Sequence, residues 1–309
     1  MERVVYDNMT EIEMGKHLNI AAVGKPPWSY IKHSGKLERL IIQLGSGKGK
    51  FSEIEGIPRS IGCIGNNRFI LRREPLSVER VQELIREFGS KRGKELYLTN
   101  YDSVGYLIRM ANYAASIGIP EVYAVVRIND MDKVTPVEDV RIIAELEYSK
   151  ANLRKLEDYS WAYGALVIST YQQYMELEKT DVNFPGEVYV DILYPGSLRK
   201  IDFNIIELKR TLSPSNSKYH DCLAGTLAIT ADGYALPCPL LRNFVVADAK
   251  KLNLKNILRK KRLKNFWKLT KDKIATCSSC PFKYICHDCR ALEYQASGDP
   301  LGMEFCIMD

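Results

Sequence analysis

The chain has 309 residues and a formal net charge of +6, with 46% hydrophobic and 27% charged residues. That is enough to bury one large core and a smaller module, and the balance excludes intrinsic disorder. No apolar run approaches the ~18 residues that span a bilayer. The opening MERVVYDNMTEIEMGKH carries acids where a secretory leader needs an apolar stretch, so a cytoplasmic protein with no membrane partner is expected.

Taken in chain order, residues 1–38 are expected as a β-rich extension of short strands and turns ending in GKPPWSYIKHSGK. From 39 to 212, β-rich runs alternate with helical patterns, as in a parallel α/β sheet. The runs are ERLIIQL, ELYLT, EVYAVVRI, RIIAELE, ALVIST and EVYVDIL. The first helix has Ser77 as N-cap, the stripe Val78, Val81, Leu84, Ile85 and Phe88, and Gly89 as its stop. A second starts at Ser103 and ends at Gly118-Ile119-Pro120, and LRKLEDYSWAY supplies a third. Six strand–helix units predict an open, TIM-like partial (β/α)6 barrel, with a doubly wound sheet as the other arrangement the pattern allows. The run Gly45-Ser46-Gly47-Lys48-Gly49-Lys50 fits neither glycine-rich phosphate motif and is expected to be a mobile loop. LSPSNSKYH marks a linker, so 213–309 is expected as a separate small domain.

Cysteine carries the chemistry. Of eight cysteines, seven fall between Cys222 and Cys306, and the first 221 residues hold only Cys63. In a cytoplasmic protein of this size such a cluster points to metal rather than disulfides. The pattern is Cys222, ten residues, Gly233, four residues, Cys238, a long gap, Cys277-x2-Cys280-x5-Cys286-x2-Cys289, and Cys306. A CxxC turn aims two thiolates at one point, and seven thiolates are too many for one tetrahedral ion but nearly enough for two four-ligand clusters. Zinc is the alternative these residue types allow, although zinc ribbons separate their CxxC pairs by ~15–20 residues.

This order of cysteines, with ITADGYALPCPLL, KNFWKL and CRALEYQASGD around them, resembles the SPASM domain found behind radical SAM enzymes that modify peptides and proteins. The resemblance implies that Cys277, Cys280, Cys286 and Cys306 hold one [4Fe–4S] cluster, and that Cys222, Cys238 and Cys289 hold a second. Two departures bear on the second. The last CxxC has two intervening residues where the family has three, and no cysteine stands just upstream of Cys222, where His220 is the only soft donor. The second cluster is thus three-ligated, completed by histidine, or absent.

A barrel of radical SAM type would carry Cys-x3-Cys-x2-Cys after its first strand. If Cys63 is the third position of that motif, the first two are Gly56 and Ser60, so one thiolate remains; otherwise Cys63 is a small buried apolar residue. Where the family has Gly-Gly-Glu, this chain has Thr99-Asn100-Tyr101-Asp102. S-adenosylmethionine is therefore not an expected cofactor, and the chain is not expected to be a self-sufficient radical enzyme.

Between Lys250 and Lys273 lie eleven Lys or Arg against one acid, Asp272. Its apolar positions Leu254, Ile257, Leu258, Leu263, Phe266 and Trp267 predict an amphipathic element with solvated lysines, so nucleic acid is not an expected partner. His17, His33, His220 and His287 form no catalytic pair, although His287 lies within the last CxxC. Glu145, Glu147, Asp158 and Asp191 fall at or after strand ends, where barrels build sites. The expected function is a non-radical iron–sulfur protein with one or two [4Fe–4S] clusters, acting in electron transfer or in binding a peptide, protein substrate or partner redox enzyme. The alternatives are an enzyme using an open iron of a three-cysteine cluster and a zinc-stapled interaction or nucleic-acid-binding protein.

Overall fold

The computed structural model describes residues 18–30, 33–49, 59–193, 215–284, 286 and 288–306. Gly56, Lys50, His17, His287 and the expected boundary at 212–213 lie outside them. The elements in order are β1 (Ile20–Val23), β2 (Arg39–Gln43), α1 (Val78–Ser90), β3 (Glu95–Thr99), α2 (Val104–Ser116), β4 (Glu121–Arg127), β5 (Val140–Glu147), α3 (Lys150–Glu157), β6 (Gly164–Ser169), α4 (Tyr171–Leu177) and β7 (Glu187–Ile192). The C-terminal part adds α5 (Ser215–Lys218), β8 (Thr226–Ile229), β9 (Tyr234–Leu236), β10 (Ala247–Asp248), α6 (Leu254–Leu258), α7 (Lys261–Trp267), α8 (Ala275–Ser278) and α9 (Arg290–Ser297).

The fold is α/β. All ten strands join one open sheet in the order β1-β7-β6-β5-β4-β3-β2-β8-β9-β10, parallel except for the β8-β9-β10 meander. Each of the six predicted strands is present, and β2 to β7 lie side by side in chain order. That order lacks the reversal a doubly wound sheet needs. The six-strand prediction falls short at both ends. Ile20–Val23 pairs with β7, and β8 pairs in parallel with β2, so the sheet runs from the N-terminal segment into the cysteine-rich module. Among the described residues it does not close, and β1 and β10 are its edges.

Alternation along the strands separates two cores. Leu40, Ile42, Leu96 and Leu98 face the helices, where they meet Val81, Leu84, Ile85 and Phe88 of α1 and Leu107, Met110 and Ala111 of α2. Their neighbours Ile41, Tyr97, Tyr123, Ile143, Leu166 and Tyr189 fill the opposite face with Trp28, Ile61 and Ile64. Burial on both faces explains why these strands read as nearly continuous apolar runs. Tyr97 and Tyr123 are cross-strand partners and stack at 4.4 Å.

Ser77 and Ser103 cap α1 and α2 as predicted, each accepting from the amide three residues on. The third helix lies earlier than expected because Ser149 caps it, accepting from the Asn152 amide. The described part of the glycine run, Gly45 to Gly49, is packed as a seam, where a mobile loop was expected. A Cβ at Gly47 would lie 1.6 Å from the Asn67 carbonyl oxygen, and one at Gly49 would lie 1.5 Å from that of Asn66. Only glycine lets these backbones approach so closely, and the contact holds the 59–70 loop against the sheet.

Candidate metal centre

The loop that follows β2 is fixed by buried charge. Arg59 is fully buried, and its guanidinium donates to Asp191 at the end of β7 (2.5 Å from Nε), to Glu145 in β5 (3.1 Å) and to Asn67 (3.1 Å). Asp191 also accepts from the Ile61 amide at 2.8 Å and the Ser60 hydroxyl at 3.2 Å, and Glu145 accepts from the Asn66 amide at 2.9 Å. Burial alone would lower the Arg59 pKa, but the two carboxylates outweigh it and raise it. Burial raises that of Glu145 despite the arginine. Asn100, in left-handed backbone at φ 51°, accepts from the Asn67 amide at 2.6 Å. The Thr99-Asn100-Tyr101-Asp102 run thus clamps this loop, since Asp102 also accepts from Ser46 of the glycine seam. Glu145 and Asp191 were legible as strand-end acids; their partner Arg59 was not.

A second rigid element is the β8–β9 hairpin between Cys222 and Cys238. Gly233 turns it at φ +83°, and the fully buried Asp232 accepts from the Thr230 hydroxyl (2.5 Å), the Arg72 amide (2.9 Å) and Arg242 (3.3 Å). Burial alone would raise the Asp232 pKa, yet these donors hold it below the ordinary carboxylate value. Such a group stabilises the fold above its unfolded-state pKa of about 4, and the contribution is lost as pH falls through the lower folded-state value. Asp232→Asn should therefore cost about 1–3 kcal/mol at neutral pH, with the deficit shrinking below about pH 4. Denaturant midpoints of both proteins measured across that range check this.

The sulfurs fall into two groups. Cys222, Cys238 and Cys289 line one small, partly enclosed cavity of about 20 Å³, and the same cavity is lined by Cys63, His220 and Arg290. Burial pushes the Cys63 thiol well up, and Cys238, Cys289 and Cys222 beside it act in the same sense. Burial likewise pushes Cys238 up to about 12 and Cys289 to about 11. The amides of Leu240 and Leu241 oppose this at Cys238, and those of Leu292 and Ala291, at the start of α9, oppose it at Cys289. Thiolate is the ligand form, so metal binding here must displace protons. Despite the shortened last CxxC, Cys289 reaches the cavity because it is the N-cap of α9.

The other group is Cys277, Cys286 and Cys306, with Cys280 one turn from Cys277 through its amide bond to the Cys277 carbonyl at 3.0 Å. Cys306 acts electrostatically on both Cys277 and Cys286, and the Met303 sulfur lies 3.4 Å from that of Cys277. Among the described residues, no three His, Cys, Asp or Glu side chains close tightly enough to chelate one ion.

Buried cations join the groups. Lys271 and Arg290 favour the thiolate of Cys277, Lys271 that of Cys286, and Arg290 that of Cys289, all against burial. Arg290 is 1% exposed; it donates to Asp288 at 2.5 Å and to the carbonyls of Pro300 and Gly302 at 3.1 Å, tying α9 to the segment before Cys306. Burial alone would push Asp288 up, but Arg290, His220 and Lys271 hold its carboxyl well below the usual range. His220 sits beneath, its Nδ1 accepting from the Cys222 and Leu223 amides at 3.0 and 3.2 Å. All-thiolate donor sets with nearby positive charge suit anionic iron–sulfur clusters.

A family model described as SPASM, an iron–sulfur cluster-binding domain, matches residues 222–281. The start of the tail is SPASM-like. The match includes Cys222, Cys238, Cys277 and Cys280 and ends before Cys286, Cys289 and Cys306. No curated protein matches the chain.

The basic segment leading into the CxxC pairs of the SPASM-like module is amphipathic, as predicted. Leu254, Ile257, Leu263, Phe266 and Trp267 are buried, and Trp267 donates to the Thr226 carbonyl at 2.9 Å, so neither aromatic is presented to solvent for stacking. Lys255, Lys260, Lys261, Lys264 and Lys268 are exposed, whereas Lys271 is buried beside the thiols. Away from the cysteines, Lys48, Arg127, Asn129, Glu145, Glu147 and Asn152 line a polar hollow at the C-terminal ends of β4, β5 and β6. No helix among the described residues is long and apolar enough to cross a membrane.

Proposed function

We propose that this chain is a non-radical iron–sulfur protein of radical SAM ancestry that holds two [4Fe–4S] clusters and acts in electron transfer with a peptide, protein substrate or partner redox enzyme. The observation that carries the reading is the separation of the tail thiols into two neighbouring groups that share the buried charges Asp288 and Arg290. Bound clusters of this kind supply one-electron transfer at potentials set by charge, hydrogen bonding and burial. The chain's own residues would set those quantities. Arg290 and Lys271 offset negative charge, the amides at the start of α9 and after Cys238 face sulfur, and the sheet excludes water from one side.

Ligation by Cys277, Cys280, Cys286 and Cys306 on one side and by Cys222, Cys238 and Cys289 on the other remains the assignment we favour. The non-radical reading is supported by the loop at 59–70. It carries one thiol, and Arg59 ties it to Glu145 of β5 and Asp191 of β7. The polar hollow beside β4 to β6 offers a docking place of mixed charge for a peptide or partner.

The experiment is incubation of the anaerobically purified protein with S-adenosylmethionine and a strong reductant, followed by electron paramagnetic resonance and product analysis. Reduced-cluster signals with no 5′-deoxyadenosine are expected. Stoichiometric cleavage of S-adenosylmethionine would overturn the non-radical reading, and a spectrum without cluster signals would overturn the electron-transfer reading.

A further inference from the structure

The three cysteines Cys222, Cys238 and Cys289 leave one corner of a four-ligand site unassigned, and the cavity they line has a fourth thiol that comes from the other end of the chain. We propose that Cys63 is the fourth ligand of this site, so that one cluster staples the loop after β2 to the SPASM-like module. The proposal rests on the iron–sulfur reading above and adds to it a ligand, and a structural consequence, that the tail alone does not contain.

Three observations carry it. Cys63 packs where two cores meet, one made by the sheet with Trp28, Ile61 and Ile64, the other by Leu223, Cys238, Leu240 and Ala291 of the module. It faces the module across this seam, not the helix layer behind the sheet.

Its loop is also built to hold one position. Arg59, Ser60 and Ile61 are tied to Asp191, Asn66 to Glu145, and Asn67 to Asn100, while the Asn67 side chain donates to the Gly62 carbonyl at 2.5 Å. The flanking glycines have no room for a side chain. A Cβ at Gly62 would lie 2.6 Å from Arg59 Cγ, and one at Gly65 would lie 2.4 Å from the Arg59 guanidinium. A loop pinned on both sides of a cysteine by buried charge presents that sulfur in one place, as a cluster ligand must be presented.

The donor chemistry points the same way. His220 lines the same cavity; its Nδ1 accepts from two amides, while its Nε2 is buried without a hydrogen bond, 3.6 Å from the Asp288 carboxylate. Three thiols already line the site, and a fourth thiol completes a donor set of one kind, which suits an iron–sulfur cluster. The thiol would lose its proton on binding iron, as the other three would.

The test uses the full chain, reconstituted anaerobically with iron and sulfide, as wild type, Cys63→Ala, Cys63→Ser and His220→Gln. Readouts are iron and sulfide per chain, native mass, and electron paramagnetic resonance after mild oxidation. A cluster with an unligated iron sheds it readily, so Cys63→Ala and Cys63→Ser should each lose about one iron of eight and show a three-iron signal absent from wild type. Added small thiol should suppress that signal by filling the open iron, and His220→Gln should behave as wild type. Cys63→Ser keeps size and hydrogen bonding, so it carries the test if the alanine variant is insoluble. The proposal is overturned if both Cys63 variants keep wild-type iron content and oxidation resistance, or if His220→Gln alone gives the three-iron form. A wild-type protein that takes up zinc, or no sulfide, sinks the iron–sulfur reading itself, whatever the Cys63 variants do.

Discussion

Replacement of Arg59 by leucine should destabilise the protein by about 3–5 kcal/mol, because Asp191 and Glu145 would be left as buried charges without a partner. Both are almost inaccessible to water, Asp191 at 0% and Glu145 at 5% exposure, so solvent cannot take over the arginine's role. A variant that also carries Asp191→Asn and Glu145→Gln should regain part of the loss, since neutral side chains of similar shape remove the uncompensated charge. Denaturant unfolding measures this as a fall in midpoint at unchanged slope for Arg59→Leu and a partial return for the triple variant. Equal losses in the two would contradict the charge argument and point to packing alone.

The second large effect concerns the metal. Among the described residues between Lys271 and Cys306, the helices are the four residues of α8 and the eight of α9, with a short 3-10 turn before them. Segments this short do not hold themselves together, and the apolar cover there comes from a few residues such as Leu292 and Phe305. Anaerobic removal of iron with a chelator should therefore raise the rate of proteolysis within this segment more than tenfold. The sheet from β2 to β7, with its own core on both faces, should resist under the same conditions. Reconstitution should restore protection. An apoprotein whose tail resists cleavage as the holoprotein does would mean that the polypeptide alone folds the module.

Local signals made much of this molecule legible from its sequence. The six strands that became β2 to β7 announced themselves as apolar runs, and α1 and α2 carried serine caps with helical stripes. The partial failure of the barrel prediction has a specific cause. IAAV and TLAI are four-residue runs with no periodicity, and what makes them sheet strands is pairing with β7 and β2, which are distant in sequence. The helix α4 was missed because YQQYMEL lacks an apolar stripe, although Thr170 and Gln173 form a capping box that would have marked its start.

The site divides in the same way. Spacing marked the seven tail cysteines as candidates, because CxxC turns and the Gly-x4-Cys hairpin are local geometry. Cys63 gave no such sign. It lies about half the chain away from Cys222, and only the crossing of the 59–70 loop under the module brings the two to one cavity. Arg59 was hidden for the same reason, yet a trace of it was present. An acid embedded in an apolar strand, as in EVYVDIL or RIIAELE, demands a buried partner, and a search for one could have reached Arg59.

Metal and acid-labile sulfide analysis of the anaerobically purified protein tests the central claim most directly. The account predicts about eight iron and eight sulfide per chain, four of each for every four-ligand site, with no stoichiometric zinc. One or two zinc per chain with no labile sulfide would contradict it.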